Sequence, residues 1–244
     1  VDLRCLSLRL TILRRCLDEK DYELLLLLLL LKTIFLRMKI IKELNELRNS
    51  PIKLVIEKKL NEFLSFQKKG NKEWFSELCF CLLTANTSAL LGLRIQKELG
   101  YKGFTEFDNE EELALRLKNV RYRFYNRRAH FIALANKYKN IKSIIANIND
   151  PFERREWLVK NIKGLGYKES SHFLRNVGFN DYAILDKHIL RLMKENGFIE
   201  TIPKSISKKD YLKFEKILEN ISKQVDMSQG EMDLYLWYTK TGKI

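Results

Sequence analysis

The residues best suited to chemistry follow a Gly-Leu-Gly turn at positions 164–166. Lys168 comes two positions after the second glycine, at the predicted start of a helix, and Asp186 comes 186 − 168 = 18 residues later. The helix macrodipole disfavours a cation at that end of a helix, which favours the neutral amine that can act as a nucleophile. The Asp186 carboxylate could stabilise a developing positive charge or assist deprotonation of the lysine. Simpler interpretations are a phosphate contact or a solvated charge for Lys168, and a helix N-cap for Asp186.

The turn itself predicts a helix-hairpin-helix motif over about residues 153–178. Apolar helical segments flank it, and Gly164 and Gly166 have no Cβ to prevent close approach of another surface. Backbone N–H groups of such a turn, at a helix N-terminus, can receive a phosphate oxygen. The motif therefore predicts a DNA clamp, with an ordinary glycine-capped helix connection as the alternative.

The elements that must position these residues are predicted to be helices, so the fold class is all-α. Apolar residues recur at helical spacing, and the whole chain has three prolines and ten glycines. The helices are predicted at residues 51–66, 73–84, 89–99 (closed by Gly100), 110–117, 127–138, 151–161, 168–177, 186–196, 208–223 and 229–238.

Composition limits the classes of binding partner but does not decide between them. The 244 residues are 45% hydrophobic and can bury one or two cores, while a formal net charge of +14 favours a polyanionic partner, either nucleic acid or an acidic membrane surface. Cysteines at 5, 16, 79 and 81 and histidines at 130, 172 and 188 lack the spacing of a zinc or iron–sulfur site. We therefore expect no metal ligation by these side chains, and buried, reduced Cys79 and Cys81.

The first 37 residues differ in composition from the rest of the chain. They include uninterrupted leucines at 24–31, a run too short for a bilayer span of roughly 20 apolar residues. No small-residue cleavage site of a signal peptide follows. We expect Met38 to be the natural start, with residues 1–37 arising from an over-extended reading frame or a cloning artefact.

Two further segments, together with the hairpin, resemble the helix-hairpin-helix DNA glycosylases that include endonuclease III. Residues 80–87 (FCLLTANT) are similar to the family's Leu-Leu-Ser-Ala-Gln-type segment, and residues 124–129 (FYNRRA) to its Leu-Tyr-Asn-x-Lys-Ala segment. Within the superfamily the chain looks like the archaeal-type 8-oxoguanine DNA glycosylases. Endonuclease III carries a four-cysteine cluster near its C-terminus, whereas no cysteine follows Cys81.

The resemblance implies a fold and an activity. The fold would have two helical subdomains flanking a DNA-binding cleft, one from residues 38–68 and 181–244 and the other a helical barrel from residues 69–180. The activity would be bifunctional: Lys168 attacks the sugar C1′ and expels 8-oxoguanine, and the resulting Schiff base permits β-elimination, with Asp186 as the opposing carboxylate. No redox cofactor and no catalytic metal are implied, although backbone carbonyls of Lys160, Ile162 and Leu165 could hold a monovalent cation.

The resemblance also assigns residues to the DNA. Asn86 would fill the gap left by the extruded nucleotide and Phe124 would wedge into the stack. The neighbouring arginines at 121, 123, 127 and 128 favour a DNA-facing loop around Phe124, and Arg127 is the one assigned to DNA binding. Trp237 would help to hold the purine, and Lys243 could stand in for the family's terminal lysine. A turn residue at Asn86 and core aromatics at Phe124 and Trp237 are the alternatives.

The partner expected from these assignments is double-stranded DNA containing a damaged base, bound by a monomer in the prokaryotic cytosol, near the nucleoid and away from membranes. Three alternatives stay open from the sequence. They are an endonuclease III-like enzyme for oxidised pyrimidines, a non-catalytic helix-hairpin-helix module, and a membrane-surface protein. The pairing of Lys168 with Asp186 argues against a pure clamp, which needs neither residue.

Overall fold

The computed structural model describes residues 19–85 and 87–244, and every regular element in these ranges is helical. The all-α prediction is confirmed. The helices are α1 (Glu19–Arg48), α2 (Ile52–Ser65), α3 (Asn71–Thr84), α4 (Ala89–Thr105), α5 (Glu110–Asn119), α6 (Tyr125–Ala135), α7 (Ile141–Ile145), α8 (Pro151–Asn161), α9 (Tyr167–Asn176), α10 (Lys187–Glu195), α11 (Lys208–Gln224) and α12 (Gln229–Thr241).

The chain divides into two compact units. Unit 1 comprises the described residues up to Ile56 together with Leu185–Ile244, and unit 2 is Glu57–Ile184. One boundary falls inside α2 and the other lies just before Asp186. The sequence-based subdomain limits (38–68 with 181–244, and 69–180) have the same discontinuous order, and their assignment as the two walls of a DNA cleft stays a prediction.

Unit 2 is built around α3, which is buried from Trp74 to Thr84 with the exception of Ser76. Trp74, Phe75, Leu78 and Leu82 are fully buried, as are Cys79 and Cys81, as expected from the sequence. A helix that is buried on nearly every side needs neighbours all round it, and α4, α6, α7 and α9 pack against α3. This packing places the helix that carries Lys168 against the centre of the unit's core.

The core of unit 1 is formed by side chains of α1, α10, α11 and α12. On α10 the buried side chains are Ile189, Leu190, Leu192 and Met193, and α12 buries Met232, Leu234, Tyr235 and Leu236 against them. Helix α1 contributes Ile40 and Leu44, which are 1% and 0% exposed. The N-terminus of α10, where Asp186 lies, is thereby fixed to a packed core.

Helix α1 crosses position 38 without a break. Large apolar side chains between residues 24 and 35 are exposed, among them Leu24, Leu28, Leu31 and Phe35, in contrast to the buried Ile40 and Leu44. Residues 1–18 lie outside the described part of the chain, and the expectation that residues 1–37 are foreign stays a prediction. Within the described ranges, no helix combines the length and apolar character that crossing a membrane requires.

Three details of the predicted helices differ from the structure. Gly100 breaks the helical backbone (φ +60°, ψ −174°), but the chain resumes a helix to Thr105 rather than ending there. The predicted helix 127–138 begins at Tyr125, ends at Ala135 and continues as a 3₁₀ turn, Asn136–Tyr138. The five-residue α7 is too short to produce a recognisable hydrophobic period and is absent from the prediction.

Candidate active site and nucleic-acid interface

Helices α8 and α9 form the predicted helix-hairpin-helix. The Asp150 carboxylate accepts the Glu153 N–H at 2.7 Å and Pro151 occupies the first helical turn, so α8 begins with two strong start signals. Ile162 ends the helix, and its carbonyl accepts the Leu165 N–H at 3.2 Å. The side chains of Ile162 and Leu165 are buried, which anchors the turn from both sides.

Gly164 is required by the turn and by its packing. Its φ is +96°, in the left-handed region that disfavours other residues. A Cβ at this position would lie 2.3 Å from Cδ2 of Phe131, far inside van der Waals contact. Any side chain at position 164 would therefore overlap with the Phe131 ring.

Replacing Gly164 by alanine should destabilise the protein by about 2–4 kcal/mol, because the strained φ and the overlap with Phe131 add. Gly100→Ala is the matched control in the same unit, since Gly100 also has a positive φ (+60°) but no atom within 4 Å of its Cβ position. The control should cost about 1 kcal/mol. Chemical denaturation of the two variants measures the difference, and equal losses would mean that the Phe131 contact does not constrain the turn.

Lys168 lies in the first turn of α9, as predicted. Its side chain is 30% exposed, and its Nζ is 3.2 Å from Oε1 of Glu169. The other carboxylate oxygen of Glu169 accepts the Gly166 N–H at 3.3 Å, so the carboxylate contacts the helix start and the lysine together. The sequence analysis missed Glu169, although an acid at the third position of a helix is a recognisable capping signal.

His172 lies one helical turn beyond Lys168, and its ring packs edge-on against Phe80 with centroids 5.8 Å apart. Burial lowers the pKa of His172 well below its usual value, and the nearby positive charges of Arg175 and Lys168 act in the same direction. The imidazole is therefore neutral around pH 7. It adds no second positive charge beside Lys168.

Asp186 belongs to unit 1 and forms the N-cap of α10. Its Oδ1 accepts the backbone N–H groups of His188 (2.8 Å) and Ile189 (2.9 Å), which confirms the capping interpretation. The ring of His188 meets Trp237 edge-on at 5.1 Å. Trp237 is only partly buried, unlike the fully buried Trp74, and its role in holding the purine stays a prediction. Asp186, His188 and Trp237 thus cluster at one end of α10.

Asn86 lies outside the described residues, but the segment that leads to it is firmly held. The buried guanidinium of Arg128 donates to the Ala85 carbonyl at 2.8 Å, and the Tyr122 hydroxyl donates to the Leu83 carbonyl at 2.6 Å. The sequence grouped Arg128 with arginines of a DNA-facing loop, which is wrong, because its side chain is only 6% exposed. Arg128 instead fixes the backbone before Asn86.

Phe124 lies just before α6 and is half-buried. Its ring packs edge-on against Tyr122 (6.4 Å between centroids), and the Arg123 guanidinium lies 5.1 Å from its centroid. Arg121, three residues earlier, has a positive φ of +60°. Phe124 thus packs against the core with only part of its ring. Its role as a wedge in the DNA base stack stays a prediction.

A cavity of about 590 Å³ lies in unit 2 beside the hairpin turn. Its described lining is strongly basic, with one acidic residue, Glu169, and consists of Ala85, Arg127, Arg128, Phe131, residues 159–165 and Glu169. Arg127 is exposed there, with its guanidinium 5.4 Å from the Phe131 ring centroid. The hairpin turn, the approach to Asn86 and the arginine predicted to contact DNA therefore meet at one basic concavity.

The C-terminal Lys243 and the question of metal ligands complete the comparison with the predicted site. Lys243 is exposed, directly after the left-handed Gly242 that ends α12, and its N–H donates to the Thr241 hydroxyl at 3.3 Å. Among the described residues, no group of three or more His, Cys, Asp or Glu side chains is placed to hold a metal ion.

Fold and site together define an all-helical protein with a basic helix-hairpin-helix and a half-buried lysine at the start of its second helix. A family model described as 8-oxoguanine DNA glycosylase matches residues 56–227. A Methanocaldococcus jannaschii protein named 8-oxoguanine DNA glycosylase/AP lyase is 53% identical over 207 residues, which are 85% of this chain and 99% of the relative. A Thermotoga maritima protein of the same name is 48% identical over 210 residues, 84% of this chain and 98% of the relative.

A solved structure is also similar. It is the Methanocaldococcus jannaschii 8-oxoguanine glycosylase/lyase in complex with a 15mer DNA containing 8-oxoguanine, which matches with a TM-score of 0.82 at 52% identity and covers 84% of this chain and 99% of that chain. This chain belongs to the 8-oxoguanine DNA glycosylase family.

Proposed function

We propose that this chain excises 8-oxoguanine from duplex DNA and then nicks the strand, with Lys168 as the nucleophile. The observation that carries the proposal is the position of Lys168, half-buried at the start of α9 and directly after the hairpin turn. Membership of the 8-oxoguanine DNA glycosylase family supports 8-oxoguanine as the substrate. The relatives are named glycosylase/AP lyases, which supports strand nicking as the second activity.

The first task is to bind DNA and expose the damaged base. A base inside a duplex is out of reach, so the nucleotide must be extruded at a cost of a few kcal/mol in lost stacking. The basic cavity and the hairpin N–H groups near Gly164 would provide phosphate contacts, whereas the Gly166 N–H already donates to the Glu169 carboxylate. Asn86, which follows the Arg128-bound Ala85 in the sequence, would fill the gap, and Phe124 would replace lost stacking.

The second task is covalent chemistry at the sugar. The neutral Lys168 amine forms an Nζ–C1′ bond as the glycosidic C–N bond breaks, and the base leaves with the bonding electrons and takes up a proton. Opening of the sugar ring then gives an imine. Loss of a C2′ proton then forms a C2′–C3′ double bond as the C3′–O bond breaks, and the downstream strand leaves with a 5′-phosphate. The Asp186 carboxylate would stabilise the positive charge that develops on the sugar, and the Trp237 ring beside His188 would contact the extruded purine.

Backbone carbonyls of Lys160, Ile162 and Leu165 in the hairpin are the proposed ligands of a monovalent cation. Lys160 lies in the last turn of α8, where carbonyl oxygens lack partners within the helix. The Ile162 carbonyl already accepts the Leu165 N–H but has a second lone pair. With the Leu165 carbonyl, these oxygens would be the ligands of the cation, since hard cations prefer oxygen donors. A bound cation would supply positive charge next to a DNA phosphate at the turn.

We further propose that the protein acts as a monomer in the cytosol, on the DNA of the nucleoid. The formal net charge of +14 favours association with a large polyanion over self-association. The named relatives are archaeal and bacterial, so no nuclear compartment separates enzyme and DNA.

Borohydride trapping on two otherwise identical duplexes tests the function. With 8-oxoguanine, we expect a covalent adduct and a nicked strand, at a single-turnover rate at least about tenfold higher than with thymine glycol. A faster reaction on thymine glycol would instead assign the enzyme to oxidised pyrimidines. Tight binding to both duplexes with no adduct on either would indicate a non-catalytic clamp.

A further inference from the structure

Glu169 is an acidic residue where DNA binding favours basic ones. It lines the 590 Å³ cavity together with Arg127, Arg128, Lys160 and Lys163. A carboxylate in such a place repels phosphate and weakens the contribution of its basic neighbours to DNA binding. Its presence calls for a role that offsets this cost.

Helix capping accounts for only one of its two contacts. One carboxylate oxygen accepts the Gly166 N–H and thus supports the start of α9. The other oxygen is 3.2 Å from the Lys168 ammonium, and the Glu169 side chain is only 17% exposed. The cap fixes the carboxylate, and the fixed carboxylate restrains the lysine.

The chain contains its own comparison for this geometry. Helix α3 begins with Gly70-Asn71-Lys72-Glu73, the same Gly-x-Lys-Glu order as the Gly166-Tyr167-Lys168-Glu169 of α9. There too the carboxylate accepts the glycine N–H, at 3.0 Å. The Lys72 ammonium, however, lies 5.9 Å from the centroid of the Tyr101 ring. The cap alone therefore does not impose the lysine–glutamate pair seen in α9.

We propose that Glu169 is a positioning residue, which holds the Lys168 side chain at the start of α9 and prevents its ammonium from pairing with a DNA phosphate. This inference rests on the proposed function of Lys168. Without the carboxylate, a flexible lysine beside a phosphate-binding turn would take a phosphate as its partner, since Lys is a compact charge on a four-carbon stem. A lysine bound to phosphate is withdrawn from C1′. Glu169 thus lowers the affinity for DNA but keeps the nucleophile in the correct place.

Glu169→Gln separates positioning from capping, because the amide oxygen of glutamine still accepts the Gly166 N–H while the negative charge is lost. Glu73→Gln makes the same change in the matched cap of α3. We expect Glu169→Gln to lower the single-turnover trapping rate on 8-oxoguanine DNA at least about tenfold, while DNA binding becomes equal or tighter. Glu73→Gln should leave the rate and the affinity within about twofold of the parent's, and both variants should melt at similar temperatures.

Three outcomes would overturn the inference: trapping by Glu169→Gln at the parent's rate, an equal loss of rate in Glu73→Gln, or a slower Glu169→Gln that also binds DNA more weakly. The proposed function is judged separately, by whether the parent forms an adduct and Lys168→Ala does not. If that contrast holds while Glu169→Gln traps like the parent, the positioning role fails and the proposed function stands.

Discussion

Lys168→Ala should lose the borohydride-trapped adduct and the strand nick on 8-oxoguanine DNA, with a rate loss of at least about 10³-fold. The alanine variant has no side-chain amine at this position to form the bond to C1′. Its fold should be intact, because a partly exposed ion pair such as Lys168–Glu169 contributes at most about 1 kcal/mol. Single-turnover gel assays and a thermal melt of the same preparation measure both.

Lys72→Ala is the matched control, since Lys72 occupies the same place in the Gly-x-Lys-Glu start of α3. It removes one positive charge from the same unit and should keep trapping within about twofold of the parent. An adduct that persists in Lys168→Ala would place the nucleophile elsewhere. A comparable loss in Lys72→Ala would show a general effect of charge on DNA binding rather than chemistry.

Asp186→Asn should slow base release by about 10²-fold or more while leaving stability nearly unchanged. Asparagine caps a helix as well as aspartate does, so the contacts to the His188 and Ile189 N–H groups can persist. What is lost is the negative charge that would stabilise the transition state. Asp186→Ala should in addition lose about 1 kcal/mol of stability with the cap. Single-turnover rates and chemical denaturation distinguish the two contributions.

Asp150→Asn controls for the cap, because Asp150 also caps a helix, α8, through its carboxylate. It should change neither the rate by more than about twofold nor the free energy of unfolding by more than about 0.5 kcal/mol. Full activity in Asp186→Asn would reduce Asp186 to a helix cap and leave the transition-state charge without an assigned carboxylate.

Local signals in the sequence were sufficient for the elements around the site. Residues 151–161 were predicted with the bounds that α8 has, because Asp150, Pro151 and the following glycine turn specify both ends. Asp186 was recognised as a possible helix N-cap because aspartate is a preferred residue at that position. Helix α1 was not foreseen, since the change in composition at residue 37 was interpreted as a boundary, whereas leucine, lysine and glutamate favour a continuous helix across it.

Tertiary partners could not be predicted from one sequence. Arg128 stands in an arginine-rich stretch and was grouped with a DNA-facing loop, but its partner is a carbonyl 43 residues away. The contact of Gly164 with Phe131 and the placement of the Glu169 carboxylate on Lys168 likewise depend on packing around the hairpin. Patterns with a helical period specify helices, and only the assembled core decides which charges are buried and which are paired.

Mass spectrometry of the trapped complex tests the central claim most directly. The parent protein is reduced with borohydride on an 8-oxoguanine duplex, digested with nuclease and protease, and its modified peptide is sequenced. The account predicts a sugar remnant on the Lys168 side chain. Modification of Lys163, Lys160 or any other lysine in its place would contradict it.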